Sequence, residues 1–215
     1  MMSNQTSMAT SELPVILASA SPRRVELLQR TGLPFRQMRA EVEERDDPRL
    51  DPVDLVRTNA RLKAQWVAER HPGALVIGAD TTVVLDGEIF FKPRDLAEAR
   101  RMLARLAGRT HRVWTGISLS HSVSDRVETW AEDSDVIFLP FGEETIDRYL
   151  EAVNPLDKAG AYGIQEKSEW IIESFSGSKE TIMGLPLQRL CRQVSQWFPH
   201  LLPVFEVEAE RSQRE

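Results

Sequence analysis

Apolar positions along the chain follow two periods, and the switches between them predict the elements. Pro14-Val15-Ile16-Leu17-Ala18 is a short apolar run with β-branched residues, the pattern of a buried strand. Val25, Leu27 and Leu28 then share a helical face that stops at Gly32, which predicts a short helix. A second strand is expected over Pro34 to Met38. Asp51-Pro52 opens a long helix in which Leu55, Asn59, Leu62 and Trp66 repeat at helical spacing, with Lys63 beside that stripe. Leu75 to Leu85 is a strand with an Asp-Thr-Thr centre, and Asp86-Gly87 is a strong hairpin signal. The return strand, Glu88-Ile89-Phe90-Phe91, ends at Lys92-Pro93. A helix from Leu96 to Leu106 stops at Gly108, and His111 to Leu119 alternates like a half-buried strand. Arg126 to Phe138 is expected as its antiparallel neighbour, followed by a helix from Glu143 to Ala152, a strand from Trp170 to Phe175 and a last helix ending at Phe198.

Three places depart from these patterns in ways that suggest chemistry. Ser21 is a natural N-cap and Pro22 a natural first helical residue, yet Arg23 and Arg24 occupy the first turn. Cations at the positive end of a helix cost about 0.3–1 kcal/mol each unless an anion joins them. With the Ser19 and Ser21 hydroxyls and free backbone N–H groups, the stretch has the parts of a phosphate seat. The plainer alternative is a surface helix that happens to carry two arginines. No Walker loop is present. Asp80 sits against propensity inside a strand, and a buried carboxylate must be paired, hydrogen-bonded or metal-bound. A structural turn aspartate is the alternative. If the hairpin closes as written, Lys92 returns near the level of Asp80. The acidic run Glu41, Glu43, Glu44, Asp46, Asp47 is either a solvated loop or the source of a carboxylate that helps hold a divalent cation.

The whole-chain balance narrows the ligand. A net charge of −6, from 27 Lys and Arg against 33 Asp and Glu, leaves no global basic field for DNA or RNA. A polyanion must therefore be held by a local cluster, which favours a small nucleotide. At 215 residues, with 41% hydrophobic residues, the chain suits one domain, expected over 13–202. Residues 1–12 are polar, lack a secretory pattern and are expected to be a disordered extension, with Met8 as an alternative start. Residues 203–215 are expected to be a charged, frayed tail. No apolar run reaches membrane-spanning length, so a cytoplasmic protein without membrane contact is expected. Cys191, the single cysteine, allows no internal disulfide and is expected to be a buried, inert thiol. The four histidines have no metal-ligand spacing.

Leu17-Ala18-Ser19-Ala20-Ser21-Pro22-Arg23-Arg24, followed by Glu26-Leu27-Leu28, resembles the signature of the Maf family of nucleoside triphosphate pyrophosphatases. The resemblance continues through Asn59 to Ala64, Gly78-Ala79-Asp80-Thr81 with Lys92-Pro93, Asp157 to Gln165, and Gly184-Leu185-Pro186-Leu187. Glu166 departs from it, since many relatives have glycine there. The resemblance implies an α/β fold, a mixed twisted sheet with flanking helices in two lobes around a nucleotide cleft. It implies hydrolysis between the α- and β-phosphates. By it, Asp80, Lys63 and Lys92 are catalytic, Asp80 and Glu44 hold Mg or Mn, and Ser19, Ser21, Arg23, Arg24, Thr81 and Gln165 bind substrate. Asp80 is open to reading as base, metal ligand or both. A homodimer is what the family suggests. The branch with Pro-Arg-Arg, Asp-Thr and Gly-Ile-Gln is associated with dTTP and UTP, and Gln165 can pair the acceptor–donor edge of uracil or thymine. The alternatives are the sister activity on 7-methyl-GTP, a phosphatase that takes only the γ-phosphate, and a nucleotide-binding regulator of septum formation without turnover.

Overall fold

The apolar run near the start becomes a fully buried strand, β1 (Val15–Ala18), in a computed structural model that describes residues 13–202. Expectations for residues 1–12 and 203–215 lie outside those described. The chain continues through α1 (Pro22–Gln29), β2 (Arg36–Gln37), α2 (Pro52–Arg70), β3 (Leu75–Leu85) and β4 (Glu88–Phe90). Next come α3 (Leu96–Leu106), β5 (Thr110–His121), β6 (Arg126–Phe138), α4 (Glu143–Ala152), β7 (Ile172–Ser176), α5 (Lys179–Met183) and α6 (Leu187–Trp197). One seven-stranded sheet runs β2-β1-β3-β5-β6-β7, with β4 paired to β3. β1 is parallel to β2 and β3, and all other pairs are antiparallel. The expected α/β fold, a mixed sheet with flanking helices, is the one observed.

The two-residue period of β3 sorts its side chains onto two faces with different neighbours. On one face, Leu75, Ile77 and Ala79 join Ile117 and Leu119 in an apolar cluster with Leu27 and Leu28 of α1 and Leu190 of α6. Further along that face, Val83, Leu85 and Val113 belong to a second cluster with Leu103 of α3 and Tyr149 of α4. Thr81 and Thr115 lie between the clusters, their hydroxyls 3.0 Å apart, and Thr115 donates to the Thr181 carbonyl at 2.8 Å. This polar seam divides one face of the sheet into two apolar halves.

The opposite face is covered by α2, which crosses β3 and β5 unusually closely. A Cβ on Gly78 would sit 2.2 Å from the Ala60 carbonyl oxygen, and one on Gly116 would sit 2.3 Å from that of Val56. Only residues without side chains permit such contact between helix and strand backbones.

Some boundaries differ from expectation. The buried face of α2 includes Leu55, Val56, Asn59, Ala60, Lys63, Ala64 and Val67, while Leu62 and Trp66 are half-buried at its flank. Lys63 thus lies on the inward stripe, not beside it. The strand expected from Trp170 starts at Ile172, because Ser168–Trp170 turns in a 3-10 conformation and the Trp170 ring stacks under Arg148 at 3.8 Å. Cys191 is buried as expected, and burial pushes its thiol up to about 12.

Candidate active site

β1 stops at Ala18, opposite Gly78, and β4 begins its pairing only at Val83. Residues 79–82 of β3 therefore have no strand neighbour on that side. A cleft of about 630 Å³ opens at this gap, beyond the carboxyl end of a parallel strand, where α/β sheets commonly accept ligands. The gap lets side chains from both faces of β3 reach one space, so Asp80 and Thr81 both line it. The walls carry six cationic side chains (Arg23, Arg24, Arg39, Lys63, Lys92, Lys158) and four acidic ones (Glu41, Glu44, Asp80, Asp157). This is the local cationic excess that an acidic protein needs to hold a polyanion.

One wall is built by α2, β3 and the acidic segment. Lys63 donates to Asp80 Oδ1 at 2.7 Å and to Glu44 Oε2 at 2.6 Å. Asn59, one turn earlier, donates to Asp80 Oδ2 at 3.1 Å. Asn59 also exchanges hydrogen bonds with the backbone of Arg45, accepting from its N–H at 2.8 Å and donating to its carbonyl at 3.0 Å. That pair of bonds fixes the segment bearing Glu44. Burial works to raise the Glu44 carboxyl, but the charge and hydrogen bond of Lys63, with Lys92 further off, more than offset it and leave it below its ordinary value. Of the acidic run, Glu44 joins this cluster and Glu41 lines the cleft, whereas Asp47 pairs with Arg49 outside it. Two carboxylates meeting one ammonium form an oxygen-donor pair that suits a hard cation, so Glu44 and Asp80 fit the implied metal.

The other wall is the start of α1. Ser21 occupies the N-cap position but its side chain caps nothing. Ser19 Oγ accepts from the Ser21 N–H and from Arg24 Nη1, both at 3.2 Å. The two arginines are not the unpaired cations that the sequence suggested. Arg23 donates to the Asp157 carboxylate at 2.8 Å and to its carbonyl at 3.2 Å. Arg24 donates to the Gly184 carbonyl at 2.8 Å and to Thr81 Oγ1 at 3.0 Å. Burial lowers the Arg24 pKa, partly countered by Asp80 and Glu44. The protein's own acceptors already stabilise a helix end that local rules would disfavour.

The loop after α4 closes the cleft. Lys158, only 4% exposed, donates to Asn154 O at 2.6 Å and Asp157 Oδ1 at 2.8 Å, and lies 3.2 Å from Glu166 Oε2. Glu166, the departure from the family pattern, is thus tied to a lysine on the cleft wall. Tyr162 reaches His111 Nε2 at 2.8 Å beneath the loop. Burial lowers the His111 pKa to about 4, and its Nδ1 has no partner among the described residues.

The structure brings Ser19, Ser21, Arg23, Arg24, Glu44, Lys63, Asp80, Thr81 and Lys92 to one cleft. It does not bring the Gln165 side chain there: that amide is exposed and donates to both Glu26 oxygens at 3.1 Å, although Gly163 and Ile164 line the wall. Asn59, Asp157, Lys158 and Tyr162 lie in segments that resemble the family but have no site role in the sequence reading. Asn59 stands out as a polar residue in a buried helical stripe; Asp157 opens a matched loop segment, but its pairing with Arg23 is not legible locally, because 134 residues separate the two.

Fold and site together define an α/β protein with an anion-receptive cleft beside a carboxylate pair. The chain belongs to the Maf family, matching Maf-like protein over residues 14–197. It is 46% identical over 183 residues to the dTTP/UTP pyrophosphatase of Symbiobacterium thermophilum, covering 85% of this chain and 93% of that one. It is 44% identical over 190 residues to the dTTP/UTP pyrophosphatase of Salinibacter ruber, covering 88% and 93%. The solved structure of the Staphylococcus aureus Ham1 protein is similar at a TM-score of 0.45 and 13% identity, over 73% of this chain and 90% of that one, a likeness too distant to support any conclusion.

Proposed function

We propose that this protein hydrolyses dTTP and UTP to the nucleoside monophosphate and pyrophosphate. The observation that carries the reading is the gap in the sheet beside β3. It sets an α1 terminus bearing serines and arginines across one cleft from a carboxylate pair that converges on a single positive charge. Membership of the Maf family, with relatives named for this activity, gives the substrate class.

In this reading the triphosphate lies along the cationic wall. Ser19 already accepts two hydrogen bonds, so its own O–H is free to donate to a phosphate oxygen. The Ser21 hydroxyl and the first N–H groups of α1 add donors at the positive helix end. Lys92 is exposed, lines the cleft and pairs with no carboxylate among the described residues, so its ammonium is available to the leaving pyrophosphate. Glu44 and Asp80 would hold a divalent cation, Mg or Mn, which when bound supplies Lewis-acid polarisation of phosphate and water. Water oxygen bonds to the α-phosphorus, the bond from that phosphorus to the bridging oxygen breaks, and pyrophosphate leaves with the electron pair. Asp80, fixed by Asn59, accepts the water proton. Gln165 reads the base edge after exchanging Glu26 for it.

The test is a product assay on dTTP, UTP, CTP, GTP and 7-methyl-GTP. The expected result is pyrophosphate and monophosphate, with dTTP and UTP preferred. Orthophosphate with nucleoside diphosphate, binding without turnover, or preference for 7-methyl-GTP would each overturn the reading.

A further inference from the structure

Lys63 cannot serve phosphate in the geometry it adopts. An ammonium has three donors. Those of Lys63 face Glu44 Oε2 at 2.6 Å, Asp80 Oδ1 at 2.7 Å and, more weakly, the Ala79 carbonyl at 3.4 Å. Its side chain is 10% exposed and that of Asp80 12%, whereas Glu44 is 44% exposed on the cleft side. The ammonium therefore occupies the point toward which both carboxylates are turned, the point a divalent cation would take. Two carboxylates and one ammonium leave a net charge of −1, which a divalent cation in place of the ammonium would bring to zero.

We propose that Lys63 is the resident cation of the Glu44–Asp80 pair in the free protein, and that substrate loading exchanges it. A divalent cation takes its place, and the released ammonium turns within the cleft it already lines to meet the triphosphate. The inference rests on the reading of Glu44 and Asp80 as the metal-holding pair. The surroundings suit an exchange. Asn59 holds Asp80 by its other oxygen and pins the backbone of Arg45, so both carboxylates keep their places when the ammonium leaves. The lysine stem is flexible, and its buried root on α2 fixes where the head can travel. Lys63 thus both preorganises the carboxylates and competes for them. Cation and nucleotide then bind with positive coupling, because the nucleotide gives the displaced ammonium a new partner.

The experiment measures Mn²⁺ binding by calorimetry without nucleotide, in the wild type, Lys63→Met and Asp80→Asn, with folding of each checked by circular dichroism. Lys63→Met is expected to bind Mn²⁺ at least about fivefold more tightly, the lower end of typical coupling between sites. Asp80→Asn is expected to lose binding. A second measurement needs no variant: amine acetylation of the wild type, read by mass spectrometry. Lys63 should be protected in the free protein, more reactive with saturating Mg²⁺, and protected again when a non-hydrolysable dTTP analogue is added. Unchanged or weaker Mn²⁺ binding by folded Lys63→Met, or acetylation of Lys63 indifferent to Mg²⁺, would overturn the exchange. If the wild type binds Mn²⁺ through Asp80 and Lys63 is indifferent, the metal reading stands and only the exchange fails. If neither the wild type nor folded Lys63→Met binds Mn²⁺, the metal reading fails and takes the exchange with it.

Discussion

The two walls of the cleft are built by opposite means. On the carboxylate wall, partners are near in sequence: Lys63 lies 19 residues from Glu44 and 17 from Asp80, and Asn59 lies 21 from Asp80. On the arginine wall, Arg23 meets Asp157 across 134 residues and Arg24 meets Gly184 across 160. The first wall is one helix laid on one strand at backbone contact. The second exists only once the later loop and α5 have closed over α1. Chemistry should therefore be most sensitive on the first wall, and stability on the second.

The sharpest test of that contrast is Asp80→Asn. The expected loss of turnover is about a thousandfold, in the range for removing a positioned proton acceptor. The fold should survive, because an amide oxygen can still accept from Lys63. Pyrophosphate release and a melting curve measure the two effects; turnover within tenfold of wild type would remove Asp80 from the reaction.

Next in size is a pH effect beneath the loop. His111 has a depressed folded pKa, near 4 against 6.5 unfolded, because burial disfavours its charged form. Below pH 6.5 the unfolded chain binds a proton that the folded chain refuses. The stabilisation is whole above 6.5 and is lost progressively as pH falls to about 4, on the order of 3 kcal/mol in all. Urea unfolding of wild type and His111→Gln at pH 7.5 and 4.5 should show the steeper decline in wild type. Parallel declines would mean that the loop wall does not depend on a neutral histidine.

The arginines themselves come third. Arg24→Ala removes three hydrogen bonds, including the donor to the Gly184 carbonyl, and is expected to cost about 2 kcal/mol of stability. Arg23→Ala removes a pair whose carboxylate is 41% exposed and should cost less than about 1 kcal/mol. Chemical denaturation gives the order; a larger loss at Arg23 would mean that the Asp157 pair, not the Arg24 hydrogen bonds, holds this wall together.

The smallest effect is expected at Gln165. Its amide is exposed in the free protein, so water can replace a lost base contact in Gln165→Ala. The kcat/KM preference for dTTP over CTP should change less than about tenfold. A change near a thousandfold would mean that the loop buries Gln165 against the base.

The sequence by itself determined most elements, because periodicity, caps and turn residues act over a few positions. It also exposed Asp80, whose charge breaks an apolar strand, and the Ser-Pro-Arg-Arg helix start, whose charge breaks a helix rule. Both are local contradictions, visible without neighbours. Tertiary structure alone decided what resolves them. Lys63 had the same helical spacing whether it snorkelled to solvent or filled a carboxylate pair, and only the approach of α2 over Gly78 and Gly116 chose between them. Arg24 read as a free cation until Gly184 and Thr81 arrived from distant segments. Gln165 shared a motif with the cleft residues, yet its side chain turned outward to Glu26. Backbone pattern is fixed by short-range sterics and solvation; the partner of a long polar side chain is fixed by whichever segments the whole sheet brings within 3 Å.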